Sequence, residues 1–467
     1  MKKSGYYLAL YLLVSVVIFS CNKKDDIDPN PTPPILTVEL DNPINNFVWR
    51  GMNSWYNWQS NVTNLADTKN DDSDSYYTYL NGYTDPEDLF ESLLHDKGNT
   101  DRFSWFIEDY IEQKKQFQGT STSLGFRLQA VLINSNSDII FYVRYVSLDS
   151  PASLAGIKRG DIFNAIDGIV LNETNYSTTV KLLSNETVTL SFVSESGGVL
   201  TAVEDKTITA IEITEDPVFY KSVFNDINGK KVGYLVYNGF RSSYNDELNA
   251  AFSYFKTEGI DELVLDLRIN GGGSVLTSAY LASMIYESAG DDIFAELKFN
   301  SKHTNQNGNY NFGNSLSIYN ANGEKTGEES INRLNTLNQL YVLVSGSTAS
   351  ASEMIINGLK PFINVKVIGS TTYGKNVGSI TLYDSPSSEF TSESGVNSSH
   401  LNAMQPIVFQ IYNKLGQSDY TNGFVPDIEV LEYQYWNNIL QFGDENEIVL
   451  KTALDDIRGS SVWHSRL

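Results

Sequence analysis

Ser350 and Lys375 are the residues whose types and spacing carry chemistry. Ser350 lies in Gly346-Ser347-Thr348-Ala349-Ser350-Ala351-Ser352-Glu353, and Lys375 follows 25 residues later in Thr371-Thr372-Tyr373-Gly374-Lys375-Asn376. Each run follows an apolar, β-branched stretch, residues 340–344 before the serine and 365–368 before the lysine. A small-residue turn after a strand exposes a side chain at the strand's end, where open α/β sheets bind ligands. A serine hydroxyl is a weak nucleophile until a neighbouring base takes its proton. Lysine is such a base once burial makes it neutral, because a desolvated ammonium sheds its proton readily.

A third segment, Asp266-Leu267-Arg268-Ile269-Asn270-Gly271-Gly272-Gly273, also closes an apolar run. The three segments in this order resemble the C-terminal processing (tail-specific) serine peptidases, an S41-type family with a Ser/Lys dyad. Gly233-Tyr234-Leu235 and Phe240 resemble the first strand of that family's core, and Gly423-Phe424-Val425-Pro426-Asp427 its late turn, so the likeness covers roughly residues 100–460. The resemblance implies that Ser350 is the nucleophile and Lys375 the base. It implies an oxyanion hole from the backbone N–H groups of Gly272 or Gly273 and of Ala351, where glycine lets the backbone come close. Many members place a lysine-orienting glutamine four residues after the lysine; here that position is Ser379, whose hydroxyl has a shorter reach.

The elements that must position these residues are legible as three regions. Residues 37–115 are rich in aromatics, with Phe47, Val48, Met52, Trp55 and Tyr56 at helical spacing and Asp85-Pro86 as a helix start. They predict an N-terminal helical domain. Residues 116–212 resemble a PDZ domain. Ser123-Leu124-Gly125-Phe126 is similar to its carboxylate-binding loop, which implies peptide-binding roles for Leu124, Gly125 and Phe126, and residues 150–162 are similar to its helix and following turn. Residues 213–467 alternate strand and helix signals, with helices expected at 249–255, 278–286, 353–359 and 448–457. Residues 299–333 read as a polar excursion outside the core, and 384–400 as a mobile loop. The expected fold class is α+β multidomain: a helical domain, a PDZ-like β domain and an α/β core of the ClpP/crotonase-like type that the family resemblance implies.

The chain's 467 residues predict two to four domains. A net charge of −24 argues against nucleic acid or an anionic membrane surface as partner. The N-terminus reads as an export signal, with Lys2 and Lys3 before a mainly apolar run at 8–19 that is short for a membrane span. It ends at Ile18-Phe19-Ser20-Cys21, which resembles a bacterial lipobox and implies lipidation of Cys21, the sole cysteine. Residues 22–36, charged and proline-rich, read as an extended tether. The expectation is an exported lipoprotein of a Gram-negative-type envelope, held to the outer membrane on its periplasmic or outer side, with polypeptide substrates.

Two rival chemistries fit less well. Gly369 to Lys375 follows the first seven positions of a P-loop, but Asn376 stands where Ser or Thr should hold magnesium, and a strand pattern follows in place of a helix. A Ser-His-Asp hydrolase would need one of His95, His303, His400 or His464, none of which lies in a recognisable motif; all four read as surface residues. No His/Cys/carboxylate cluster has metal-ligand spacing, so no metal or cofactor is expected. Asp266, Arg268 and Asn270 read as residues that orient the glycine turn, and Glu353 as a first-turn helix residue favoured by the dipole. The alternative function is a weakly active or inactive PDZ peptide-binding lipoprotein.

Overall fold

A computed structural model describes residues 37–133, 137–288, 290, 292–335, 337 and 339–460. The signal, Cys21, the tether and His464 therefore lie outside the described residues.

The organising element is a six-stranded sheet in the order Val218–Ile227, Lys230–Tyr237, Glu262–Asp266, Gln339–Val344, Asn364–Gly369 and Ile428–Glu429. The first pair is an antiparallel hairpin and every later pairing is parallel. Glu262–Asp266 is buried at all five positions, as a strand covered on both faces must be. Its side chains alternate: Leu263 and Leu265 join the larger core, and Val264 joins the smaller one on the opposite face. Helices Asn245–Glu258, Val275–Ile285 and Ala351–Leu359 contribute to the first core, and Ile448–Ile457 contributes to the second. Parallel strands finish at one edge of a sheet. The turns that leave Tyr237, Asp266, Val344 and Gly369 are therefore neighbours in space.

The N-terminal region has the two expected helices, Pro43–Trp55 and Pro86–Ser92, and two more, Ser73–Leu80 and Tyr110–Phe117, each of the four with an Asn or Asp N-cap; Asp85 accepts from Glu87 N at 2.9 Å. Its apolar residues are not a separate core. Phe47, Met52, Leu89 and Phe90 belong to the same cluster as Leu263 and Ile355. The strand Trp105–Ile107 also pairs with Ala403–Gln405 of the C-terminal half.

The region after it is an antiparallel β domain with its own core. Its strand path runs Phe126–Leu132, Ile139–Val146, Ile162–Ile166, Thr187–Ser196 and Val199–Thr209. Thr120–Ser123 and Ile211–Thr214 pair as the two-stranded neck where the chain enters and leaves it. Residues 299–333 are less peripheral than their composition predicts. They form the hairpin Ser315–Tyr319/Lys325–Ser330, and Phe312 and Leu316 are buried in the main core.

Candidate active site

Ser350 is the N-cap of helix Ala351–Leu359, with φ +57° and ψ −116°. A side chain with a Cβ rarely adopts this backbone, which costs about 1–3 kcal/mol and persists only where the surroundings impose it. The surroundings here are the glycine turn. A Cβ on Gly272 (φ +103°) would lie 2.8 Å from Ser350 Cβ and 2.9 Å from Ala351 N, so only glycine allows the two turns to meet. Asn270 locks them together. Its carbonyl accepts from Ala349 N (3.2 Å) and Ser352 Oγ (2.9 Å), and its side chain donates to Tyr237 O (2.8 Å). Asn270 Oδ1 also accepts from Gly272 N at 2.9 Å. The Gly272 N–H is thus engaged, while the N–H groups of Gly273 and of Ala351, at the first position of its helix, have no such partner among the described residues.

Glu353 does far more than the first-turn role read from its spacing. It is fully buried, and its carboxylate takes four hydrogen bonds. Oε2 accepts from Ser350 N (3.0 Å) and Lys375 N (2.8 Å); Oε1 accepts from Gly374 N (2.8 Å) and Thr372 Oγ1 (2.6 Å). One carboxylate oxygen is therefore shared by the backbones of the serine and the lysine. Burial pushes the Glu353 carboxyl up, and the four donors pull against it.

Lys375 leaves the lysine turn with its amine over two rings, 5.3 Å from the Phe103 centroid and 5.9 Å from that of Trp105. No carboxylate lies within ion-pair distance of it among the described residues. Desolvation lowers its pKa, against the weaker pull of Asp101 and Glu353. Ser379 lies on the strand Val377–Ser379, and its Oγ accepts from Gln405 Nε2 at 3.0 Å. Gln405 is buried and was not singled out from the sequence; no local signal links it to a lysine turn.

Asp266 and Arg268 serve a different end from the one their motif predicts. They enter a buried ion network in which Arg268 meets Asp266 (2.7 Å), Glu432 (2.8 Å) and Glu447 (2.8 Å), while Arg159 meets Glu432 at 2.6 Å. Arg144 of the β domain donates to Arg268 O (3.2 Å) and to Ser345 Oγ (3.2 Å) and Ser347 Oγ (3.3 Å). The β domain thereby touches both turns that flank Ser350. Burial alone would raise the Glu432 carboxyl; the guanidiniums of Arg159, Arg268 and Arg144 outweigh it and hold it well below the usual range.

In the β domain, Leu124 is buried, Gly125 (φ +88°) packs on Ser150, and Phe126 opens the edge strand Phe126–Leu132. The Gly125 N–H donates to Ser123 Oγ at 3.0 Å. The histidine reading needs a correction. His303 is buried, stacked 3.6 Å from Trp55, with Nε2 2.9 Å from Ser54 Oγ and Nδ1 3.7 Å from Glu389. Ser54 ends a helix, where carbonyls and not N–H groups face outward, so this hydrogen-bonded pair has no helix N–H groups beside it to hold an oxyanion. Among the described residues no group of three or more His, Cys, Asp and Glu is placed to hold a metal ion, and no helix is long and apolar enough to cross a membrane.

Residues 231–430 match the model of peptidase family S41, and residues 43–105 match that of the peptidase S41 N-terminal domain. The chain belongs to peptidase family S41, the C-terminal processing serine proteases. A carboxyl-terminal-processing protease of Picosynechococcus sp. is 24% identical over 281 residues, 58% of each chain. A Staphylococcus epidermidis protein described as a CtpA-like serine protease is 28% identical over 229 residues, 49% of this chain and 41% of its own. The matches thus span about half of these relatives' length. A crystal structure of a Bacteroides fragilis protein described as an S41 protease is 26% identical, covers 90% of this chain and 98% of its own, and superposes with a TM-score of 0.67.

Proposed function

We propose that this protein is a lipid-anchored serine endopeptidase that cuts unfolded or C-terminally recognised polypeptides. The observation that carries the reading is the Lys375 amine. It is half-buried over Phe103 and Trp105 with no carboxylate at ion-pair distance among the described residues, while its backbone shares the Glu353 carboxylate with Ser350. A lysine so placed is poised to be neutral and basic.

Lys375 Nζ takes the Ser350 Oγ proton as the oxygen attacks the peptide carbonyl carbon. The N–H groups of Gly273 and Ala351 receive the oxyanion, since Gly272 has spent its own on Asn270. Lys375 then gives the proton to the leaving nitrogen, and the acyl group stays on Ser350 as an ester. Water attacks that ester with Lys375 again as base. Ser379 and Gln405 together stand in for a lysine-orienting glutamine, the amide reaching Ser379 from a neighbouring strand.

The β domain acts as a PDZ-like peptide receptor. Its strand Phe126–Leu132 is an edge of its sheet among the described residues, and half-buried Phe126, Leu128 and Ala130 pack against the same core as Tyr176, Val180 and Leu183. A peptide adding to that edge would end at residues 123–126. Arg144 would carry its presence to the serine and glycine turns. Cys21 would hold the protein to the outer membrane through lipid.

The test is digestion of unfolded casein by the full-length protein in detergent, alongside Ser350→Ala and Lys375→Ala. Cleavage by the wild type alone supports the dyad. Cleavage by Ser350→Ala moves the nucleophile elsewhere. Retention of peptide binding with no cleavage by any form supports the peptide-binding alternative.

A further inference from the structure

Beside the lysine turn lies a cavity of about 620 Å³, walled by Trp58, Phe103, Gly374, Asn376 and Asn422, with Arg102 as its one cation. No Asp or Glu lines it, in a chain that carries 57 of them. Arg102 is held rigidly. Its Nη2 donates to Gly374 O (2.9 Å) and Thr421 O (3.0 Å), and its guanidinium lies 4.8 Å from the Phe103 ring centroid and 5.3 Å from that of Tyr373. Those two bonds use both hydrogens of Nη2. The N–H groups of Nε and Nη1 have no acceptor among the described residues, and no carboxylate pairs with the guanidinium there.

An exposed arginine in a strongly acidic protein normally finds a carboxylate. This one is instead fixed by two carbonyls and two rings, its remaining donors unused. That is the arrangement of a preorganised anion receptor, in which little rotamer freedom remains to be lost on binding. The position gives the anion a place in the reaction. The Phe103 ring that lines the cavity also faces the Lys375 amine at 5.3 Å. A base that returns its proton to the leaving nitrogen stands on the leaving-group side of the scissile bond. The cavity therefore receives the chain that follows the cut.

We propose that this cavity is a carboxylate subsite, in which Arg102 binds an anionic group of the substrate a few residues after the scissile bond. The group is either the terminal carboxylate or an acidic side chain. The proposal rests on the peptidase reading above and adds a substrate preference to it.

The test uses the full-length protein and its Arg102→Gln variant with three quenched peptides of one sequence. The first ends in a free carboxylate shortly after the cleavable bond. The second ends in an amide. The third is amidated but carries Glu for Gln near its end. The wild type should favour the first over the second by about tenfold in kcat/KM, the scale of one charge-assisted hydrogen bond. Arg102→Gln should lose that preference by slowing only the anionic peptides that the wild type favours, leaving the second unchanged. Recovery of the rate with the third peptide assigns the subsite to acidic side chains; its absence assigns it to the terminus. A preference that survives in Arg102→Gln overturns the proposal and points to the loop at residues 123–126. An equal loss on all three peptides, which a merely structural arginine would give, also overturns it, as does a wild type without preference. If the wild type cleaves none of them, the peptidase reading fails. The same preference, and its loss in Arg102→Gln, is then read from the anisotropy of labelled peptides, with the same two outcomes.

Discussion

Two buried glutamates organise this molecule in opposite ways. Glu353 binds three backbone N–H groups and a hydroxyl, all neutral, and its carboxyl is pushed up. Glu432 lies among three guanidiniums, and its carboxyl is held down. The difference follows from what stands nearby. A cation at Glu353 would crowd the site, and a free lone pair there would draw the Lys375 amine into an ion pair and keep it charged. Filling the carboxylate with dipoles turns it into a pin between two turns. At the β-domain junction no group has to stay neutral, so charges are matched directly. Breaking one partner of such a set leaves the others buried and uncompensated.

The sharpest test of the neutral-lysine side is Lys375→Arg, because arginine keeps its charge. It should lower kcat/KM by roughly 10³-fold, the range of a general base, with unchanged circular dichroism. Near-normal activity would end the base role. In the wild type, kcat/KM should rise with pH through the lowered pKa of Lys375, with its inflection below the ordinary 10.5. An inflection at or above that value would mean the amine is not desolvated in solution.

On the ion-matched side, Glu447→Ala removes a partner of Arg268 and Arg159 and the cap of helix Ile448–Ile457. It should cost about 3–5 kcal/mol in denaturant unfolding; a loss below 1 kcal/mol would make the network incidental. Glu353→Gln should cost less, about 1–3 kcal/mol, since one amide oxygen still accepts while the new NH₂ faces donors. Its activity should fall more than its stability, because a neutral amide holds the serine and lysine turns less firmly than the carboxylate they share.

Acid separates the two glutamates by sign. The depressed Glu432 carboxyl contributes stability above the ordinary value of 4.5 that is lost as pH falls. The raised Glu353 carboxyl does the reverse: just above 4.5 the folded state holds the extra proton, so stability falls as pH rises there. Glu432→Gln should therefore flatten the acid limb of a stability–pH curve, and an unchanged limb would show that other groups set it. The smallest effect is expected from Gln405→Ala, about a few-fold loss in kcat with KM held, because in the proposed arrangement it would reach the lysine only through Ser379 Oγ, to which it donates.

The likeness to a serine peptidase was readable because each turn advertises itself locally. Ser350, Lys375 and Gly272 each follow an apolar strand within a run of small residues, and parallel pairing of those strands puts their ends together. The helices and their caps were legible for the same reason, since Asp85 and Pro86 act within one turn. What failed depended on distant partners. His303 looked like a surface residue because nothing near it in sequence announces Trp55. The N-terminal region does match an S41 N-terminal domain, but its composition cannot tell that its helices fill the same core as Leu263 and Ile355.

The sequence alone determined the turns, the succession of strands and helices and the residue types able to do acid–base chemistry. These follow from steric and hydrophobic rules acting over a few residues. Only the tertiary structure decided how those turns are joined. Glu353 meets donors 19 to 22 residues along the chain, Gln405 reaches Ser379 across 26, and Arg144 reaches Arg268 across 124. Such bonds are chosen by which strand ends the sheet brings side by side, and local sequence carries no record of that choice.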